Sequence, residues 1–208
     1  MPNITGPAFS FPSKAFPSAS SGMPGGLLGE LAVSEVVGRY GTLAKSGKVF
    51  FTSAIITAPV IFSTAAQLGP MIWNRPGSGY DAHILAVTVG SPTVATGVAG
   101  SLGLSSNAQA TVPTTATAIT AWNGYSNGGP SQMQAYSTAT VIVAPTPIFL
   151  PLLAVNTGAI TTGVITQSWV DVGGAVVVGP GGIGYVCASA TMTSGVFTIG
   201  LLWAELPA

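Results

Sequence analysis

Residues 168–207 read SWVDVGGAVVVGPGGIGYVCASATMTSGVFTIGLLWAELP, and this stretch decides the fold class. Its runs of Val, Ile, Thr and aromatic residues suit a pleated, half-buried surface. They are cut by Gly173-Gly174, by Gly179-Pro-Gly-Gly182 and by Ser194-Gly195. Short β-prone runs bounded by Gly and Pro predict strands joined by turns. The expected strands are Ile160–Val172, Ala175–Val178, Tyr185–Met192 and Val196–Glu205. Trp203 is expected to anchor the core from the last strand, and Cys187 to be a small buried hydrophobe.

Upstream, the same pattern holds back to Lys48. Further strands are expected over Val49–Ile56, Val60–Ser63, His83–Val89, Val94–Leu102, Thr117–Trp122 and Ala139–Val143. Turn signals separate them at residues 74–79 (NRPGSG), at Asn123-Gly124 and at residues 127–130 (NGGP). Ser105–Ala118, rich in Ser, Thr, Ala and Asn, is expected to be a long exposed loop. Many short strands and no long helical run predict an all-β sandwich or barrel.

The charge balance narrows the function. Only 5% of the 208 residues are charged, against roughly 25% in ordinary globular proteins. Net charge is zero, so no basic face exists to bind nucleic acid. Mean hydropathy is +0.60. That value fits either a membrane protein or a protein covered by partners. A membrane helix needs about 20 apolar residues in a row. Val49–Leu68 is interrupted by Ser, Thr, Gln and Pro59, and Thr138–Val155 carries Pro145, Pro147 and Pro151, which break helices. No membrane partner is expected. The N-terminus lacks a basic segment followed by an apolar run, so synthesis and retention in the cytoplasm until the assembly is released are expected. A single cysteine excludes an internal disulfide framework.

The chain divides by composition. Lys14, Glu30, Glu35, Arg39, Lys45 and Lys48 lie in the first quarter, whereas between Asp81 and Glu205 the only charged residue is Asp171. Residues 1–47 are expected to form an N-terminal arm and 48–208 the β-sandwich domain. The arm carries Pro2, Pro7, Pro12, Pro17 and Pro24, which preclude long regular elements. Phe9, Phe11 and Phe16 punctuate it, and an extended arm lying on a neighbouring subunit would use them as anchors. Over Leu27–Tyr40 a short helix competes with a strand over Glu30–Val37.

No motif carries convincing chemistry. Gly179-Pro-Gly181-Gly-Ile-Gly184 fits G-x-G-x-x-G, and Glu205 lies 205 − 184 = 21 residues further on, near the spacing of a ribose-binding acid. The residues after Gly184 are poor helix formers, and no βαβ alternation precedes the motif. A turn joining two antiparallel strands is the expected reading. His83, with Asp81 two residues before it, is the sole histidine, and a packed or rim position is expected for it. No His/Cys/Asp/Glu cluster has metal-ligand spacing. No catalytic residue, cofactor or metal is expected. Trp73, Trp122, Tyr125 and Trp169 could form stacking platforms for a sugar.

Three segments carry a resemblance: PGGLLGELAVSEVVGRYGTLAKSGKVF (24–50), TAPVIFSTAAQLGPMIWNRPGSG (57–79) and the ending at 168–207. Over Gly22–Pro207 the chain resembles a family of proteins encoded by tailed phages. Its ending also resembles the last strands of viral jelly rolls. The resemblance implies a virion component, of capsid cement or decoration type, and assigns no binding residues. The expectation is therefore a non-enzymatic, jelly-roll-like antiparallel β-sandwich with an extended N-terminal arm. It would be a homotrimer docked on the major capsid protein or another virion protein. The rival expectation is a tail-associated protein whose loops at Ser105–Ala118 and Trp122–Pro130 touch a host glycan.

Overall fold

Two antiparallel sheets pack face to face in the computed structural model, which describes residues 40–57, 59–93, 99–142, 149–156, 165–190 and 196–208. Ala44–Ala208 makes up one compact unit. Among the described residues, a single helical turn, α1 (Gly41–Lys45), precedes eleven strands. They are β1 (Val49–Thr57), β2 (Ala66–Asn74), β3 (Tyr80–Thr93), β4 (Ala99–Ala108), β5 (Thr114–Ile119), β6 (Trp122–Asn123), β7 (Gln134–Thr140), β8 (Leu150–Asn156), β9 (Ile165–Val178), β10 (Gly182–Ala188) and β11 (Val196–Pro207). The expected arm with Phe9, Phe11 and Phe16, and the Leu27–Tyr40 segment up to residue 39, lie outside the described residues.

The first sheet has the order β6-β1-β11-β3-β9 and the second β5-β7-β2-β10-β4-β8. Without β5, β6 and β7, the pairing is concentric. β1 pairs β11, β2 pairs β10, β3 pairs β9 and β4 pairs β8. A long antiparallel hairpin rolled over itself gives this order, which is the jelly roll. The inserted strands lie between β4 and β8 in the chain and extend one side of the sandwich. β7 adds beside β2 and β5 beyond it, while β6 adds beside β1 in the other sheet.

Period-2 alternation builds the core. On β1, Phe50, Thr52, Ala54 and Ile56 are buried, and Phe51, Ser53, Ile55 and Thr57 are exposed. On β11, Phe197, Ile199, Leu201 and Trp203 point inward. Trp203 is 0% exposed and stacks on Phe50 with centroids 6.0 Å apart. Ile72, Ile84, Leu102, Leu104 and Val186 complete the space between the sheets.

Several expected boundaries are corrected. Gly173-Gly174 does not end a strand: both glycines have positive φ within one continuous β9, in a bulge of that strand between the Ile84–Val176 and Ala86–Asp171 pairs. A bulge and a turn share the demand for left-handed glycine, so sequence cannot separate them. β2 escapes the sequence pattern because Gly69 and Pro70 lie inside it. They sit where the ladder to β7 is irregular, between Leu68 and Met71, and there a missing N–H is tolerated. β8 is likewise hidden by Pro151, which an edge strand accommodates. Val60–Ser63 forms only an isolated bridge, Ile61 to Ala188. Ser105–Ala118 is not a long loop. β4 runs through Ala108 and β5 starts at Thr114, because Ser105 and Asn107 are paired and buried beside Tyr185 and Ile183.

Candidate functional site

The two outward faces of the sandwich differ, and the difference begins with what each strand presents. On the second sheet, Met71 and Trp73 of β2, Tyr136 of β7, and Ile183, Tyr185 and Cys187 of β10 turn away from the shared core, yet all are buried. The connections of the chain itself cover them. Phe62 and Phe149 stack at 5.0 Å and pack on this cluster. Gly103 makes room for them: a Cβ there would meet the Phe149 ring at 2.8 Å.

Several polar groups under this cover are tied down individually, while Asn107 Oδ1 is buried with no hydrogen-bond partner among the described residues. Trp73 Nε1 donates to the Gln109 carbonyl at 2.8 Å. The Gln109 side chain donates to Thr111 O at 2.8 Å and accepts from the Ile142 N–H at 2.7 Å. Tyr185 accepts from Asn107 Nδ2 at 2.7 Å and donates to Phe62 O at 3.2 Å. Burial pushes the Tyr185 hydroxyl above its ordinary range. It pushes the Cys187 thiol up to about 12, so this cysteine is an inert core residue, as its apolar strand suggested.

The first sheet has no such cover among the described residues. Its outward positions include Phe51 and Ile55 on β1, Trp122 on β6 and Trp169 on β9. Ile55 is 72% exposed, and Trp122 and Trp169 are 60% exposed each. Phe51 stands opposite Trp122 on one side and opposite Leu202 of β11 on the other. Next to this aromatic ridge the surface drops to small residues on β11 and β3. Ser53, Gly200 and Thr88 share one cross-strand row, and Ile55, Thr198 and Gly90 share the next. The floor at Gly200 is low because Thr88 lies across it, and a Cβ at 200 would meet Thr88 Oγ1 at 2.4 Å. No charged residue occupies these rows on β1, β11 or β3; Asp171 lies beyond them on the edge strand β9.

The inserted strands that carry Trp122 are fixed by a buried carboxylate. Glu205 is 4% exposed. Its Oε2 accepts from Gln132 N at 2.9 Å, and its Oε1 accepts from Trp203 Nε1 at 3.1 Å and from the Ser131 hydroxyl. Asn123 adds a second clasp, donating to Gly47 O at 3.0 Å and to Gly129 O at 2.9 Å. Glu205 thus joins the insertion to β11. Its spacing in the sequence suggested only a ribose ligand; a lone carboxylate in an otherwise apolar strand was the available signal.

The remaining candidates from the sequence take different places. Gly179–Gly184 carries the chain from β9 in one sheet to β10 in the other, and the residues beyond Gly184 continue as strand rather than helix. The two strands do not pair with each other, so the expected antiparallel turn is corrected to a crossing between sheets. Gly184 is small because a Cβ would meet Val178 at 2.7 Å in the core. Asp81 and His83 are half-buried on β3, where His83 stands opposite Val177 and Ala204. Of the four proposed stacking aromatics, Trp73 is buried and unavailable, while Trp122, Tyr125 and Trp169 are exposed. Among the described residues there is no group of three metal-ligating side chains, and no helix long and apolar enough to cross a membrane. No known protein family, curated protein or solved structure matches the chain.

Proposed function

We propose that this protein is a structural component of a bacteriophage virion, a capsid cement or decoration protein without enzymatic activity. Its exposed apolar face is covered in the assembled particle. The observation that carries the reading is the apolar outer face of β1, β6 and β11, which no described residue covers as Phe62 and Phe149 cover the other face. Contiguous apolar patches on soluble proteins mark interaction sites, and a partner surface of this kind resembles a core cut in half. The near absence of charge over β1 to β11 fits a surface buried by association. The jelly roll is shared by viral capsid, lectin and cupin domains, so fold alone is only an analogy. The homotrimer and the docking onto a shell protein expected from sequence belong to this proposal.

The test is to purify particles of the encoding phage on a density gradient and quantify this chain by mass spectrometry. Co-purification in many copies per particle is expected; absence from intact particles overturns the reading. A second reading rests on Trp122 and Tyr125, which stand exposed on the insertion as a tail protein's glycan platform would. Binding on a glycan array that is lost in Trp122→Ala would favour it over the cement role.

A further inference from the structure

We infer that Asn127 is a site of spontaneous deamidation, and that the fold shields Asn123, which stands in the same reactive pair. This chemistry does not depend on the virion reading. The chain contains two Asn-Gly pairs, Asn123-Gly124 and Asn127-Gly128. A glycine after asparagine leaves the backbone nitrogen unshielded by a Cβ, so that nitrogen can reach the side-chain amide carbon. The two pairs offer the same reacting groups, but their surroundings differ.

Asn123 lies in β6, and both polar atoms of its amide are held. Nδ2 donates to Gly47 O at 3.0 Å and to Gly129 O at 2.9 Å, while Oδ1 accepts from Tyr125 N at 2.8 Å. Gly128 packs so closely on this amide that a Cβ there would collide with it. The attacking nitrogen is engaged as well, since Gly124 N donates to Val49 O of β1 at 2.7 Å. Reaction at Asn123 therefore requires release of the clasp and of the edge between β6 and β1. Asn127 lies instead in a turn closed by Gly128 N donating to Tyr125 O at 2.7 Å. Its side chain is exposed and makes no hydrogen bond among the described residues. Opening this single turn frees both reacting groups, and exposed turns open at little cost.

In the reaction, Gly128 N gives up its proton to solvent base and forms a bond to Asn127 Cγ. The Cγ–Nδ2 bond breaks, and that nitrogen leaves as ammonia. Water then opens the succinimide at either carbonyl, leaving an aspartyl or isoaspartyl residue. Nothing is oxidised or reduced. The product places one negative charge on a chain of zero net charge, in the same insertion as the exposed Trp122 and Tyr125. The same reaction at Asn123 would remove the two donor bonds of the clasp; at Asn127 it removes none.

The experiment incubates the full chain in mildly alkaline heavy-oxygen water, folded and in urea, and locates the incorporated label by peptide mass spectrometry. Chymotryptic cleavage after Trp122 and Tyr125 puts the two asparagines on separate peptides. In the folded chain, label should enter at 127 more than about tenfold faster than at 123, because the clasp must open before Asn123 reacts. In urea the two rates should converge. Asn127→Gln alters an exposed side chain, so it should keep the parent melting temperature and lose the acidic species that the parent accumulates on ion exchange. Equal rates in the folded chain, a faster rate at 123, or no label at 127 overturns the inference. A contrast that persists unchanged in urea also overturns it, since the difference would then belong to the sequence and not to the fold.

Discussion

The outer face of the second sheet and the outer face of the first are made of similar residues but treated in opposite ways. Met71, Trp73, Tyr136, Ile183, Tyr185 and Cys187 lie beneath the chain's own connections, where Trp73 and Tyr185 are hydrogen-bonded to Gln109, Asn107 and Phe62. Phe51, Ile55, Trp122 and Trp169 have no such roof among the described residues. The first arrangement is a second hydrophobic core, contributing stability to the monomer. The second contributes little until something lies on it. An exposed aromatic gains its burial energy, roughly 25 cal/mol per Å2, only upon association.

The tryptophans give the sharpest way to break this comparison, because two are hidden and two are not. Trp203→Ala and Trp73→Ala should each cost about 3–5 kcal/mol, as large-to-small changes in packed cores do. Urea denaturation monitored by circular dichroism checks this, and a loss below about 1 kcal/mol at Trp73 would remove the covered face as a core. Acrylamide quenching offers an independent view: Trp122 and Trp169 should be readily quenched in the folded chain, and Trp73 and Trp203 should not.

Glu205→Ala should come next, at about 2–3 kcal/mol, since it strands buried donors that a charged acceptor now satisfies. The same change should loosen residues 122–133, read as faster amide exchange there than in β10. Equal exchange in both would show that the insertion is held by other means.

Cys187 sharpens the comparison through pH. Its thiol is raised by burial from 9.0 to about 12. Below pH 9 the thiol is protonated whether the chain is folded or not, and its full contribution is present. As pH rises from 9 toward 12 the unfolded thiol ionises first, so stability falls, by up to ~1.4 kcal/mol per pH unit for this one proton. Tyr185 and Tyr136, also raised by burial, act in the same direction at higher pH. Urea midpoints compared between about pH 8 and about pH 10.5 should fall more for the parent than for Cys187→Ala. In the folded chain near neutral pH the thiol should also resist alkylation. The smallest effect is expected on the open face, where Trp122→Ala and Trp169→Ala should each change monomer stability by less than ~1 kcal/mol.

How far the sequence disclosed this depends on the side of each strand considered. The inward residues of β1, β3, β10 and β11 were legible because alternation and Gly-Pro turns are local signals, and Trp203 proved to be the anchor expected. β2 and β8 were not legible, because Pro70 and Pro151 read as breaks until a bulge and a sheet edge are known to receive them. Gly173-Gly174 failed for the same reason. The two outer faces could not be told apart at all: Tyr185 and Trp122 are both aromatic residues in β-prone sequence. What separates them is cover brought from distant positions, supplied to one by Phe62 and Phe149 and to the other by nothing among the described residues. The insertion's attachment to Glu205 is equally non-local, linking residues 73 and 74 positions apart.

The pairing of β1 with β11 has a temporal side. Val49 meets Ala204, 204 − 49 = 155 residues later. At about 5–20 residues per second of synthesis, β1 waits on the order of ten to thirty seconds for the strand that flanks it. Until then the outward rows that β1 shares with β11 exist only as separate pieces of chain. A nascent polypeptide therefore cannot display the finished face. Such high-contact-order closure makes folding slow, and it also sets the order of events: the outer face is complete only after all the strands that bear it have been made.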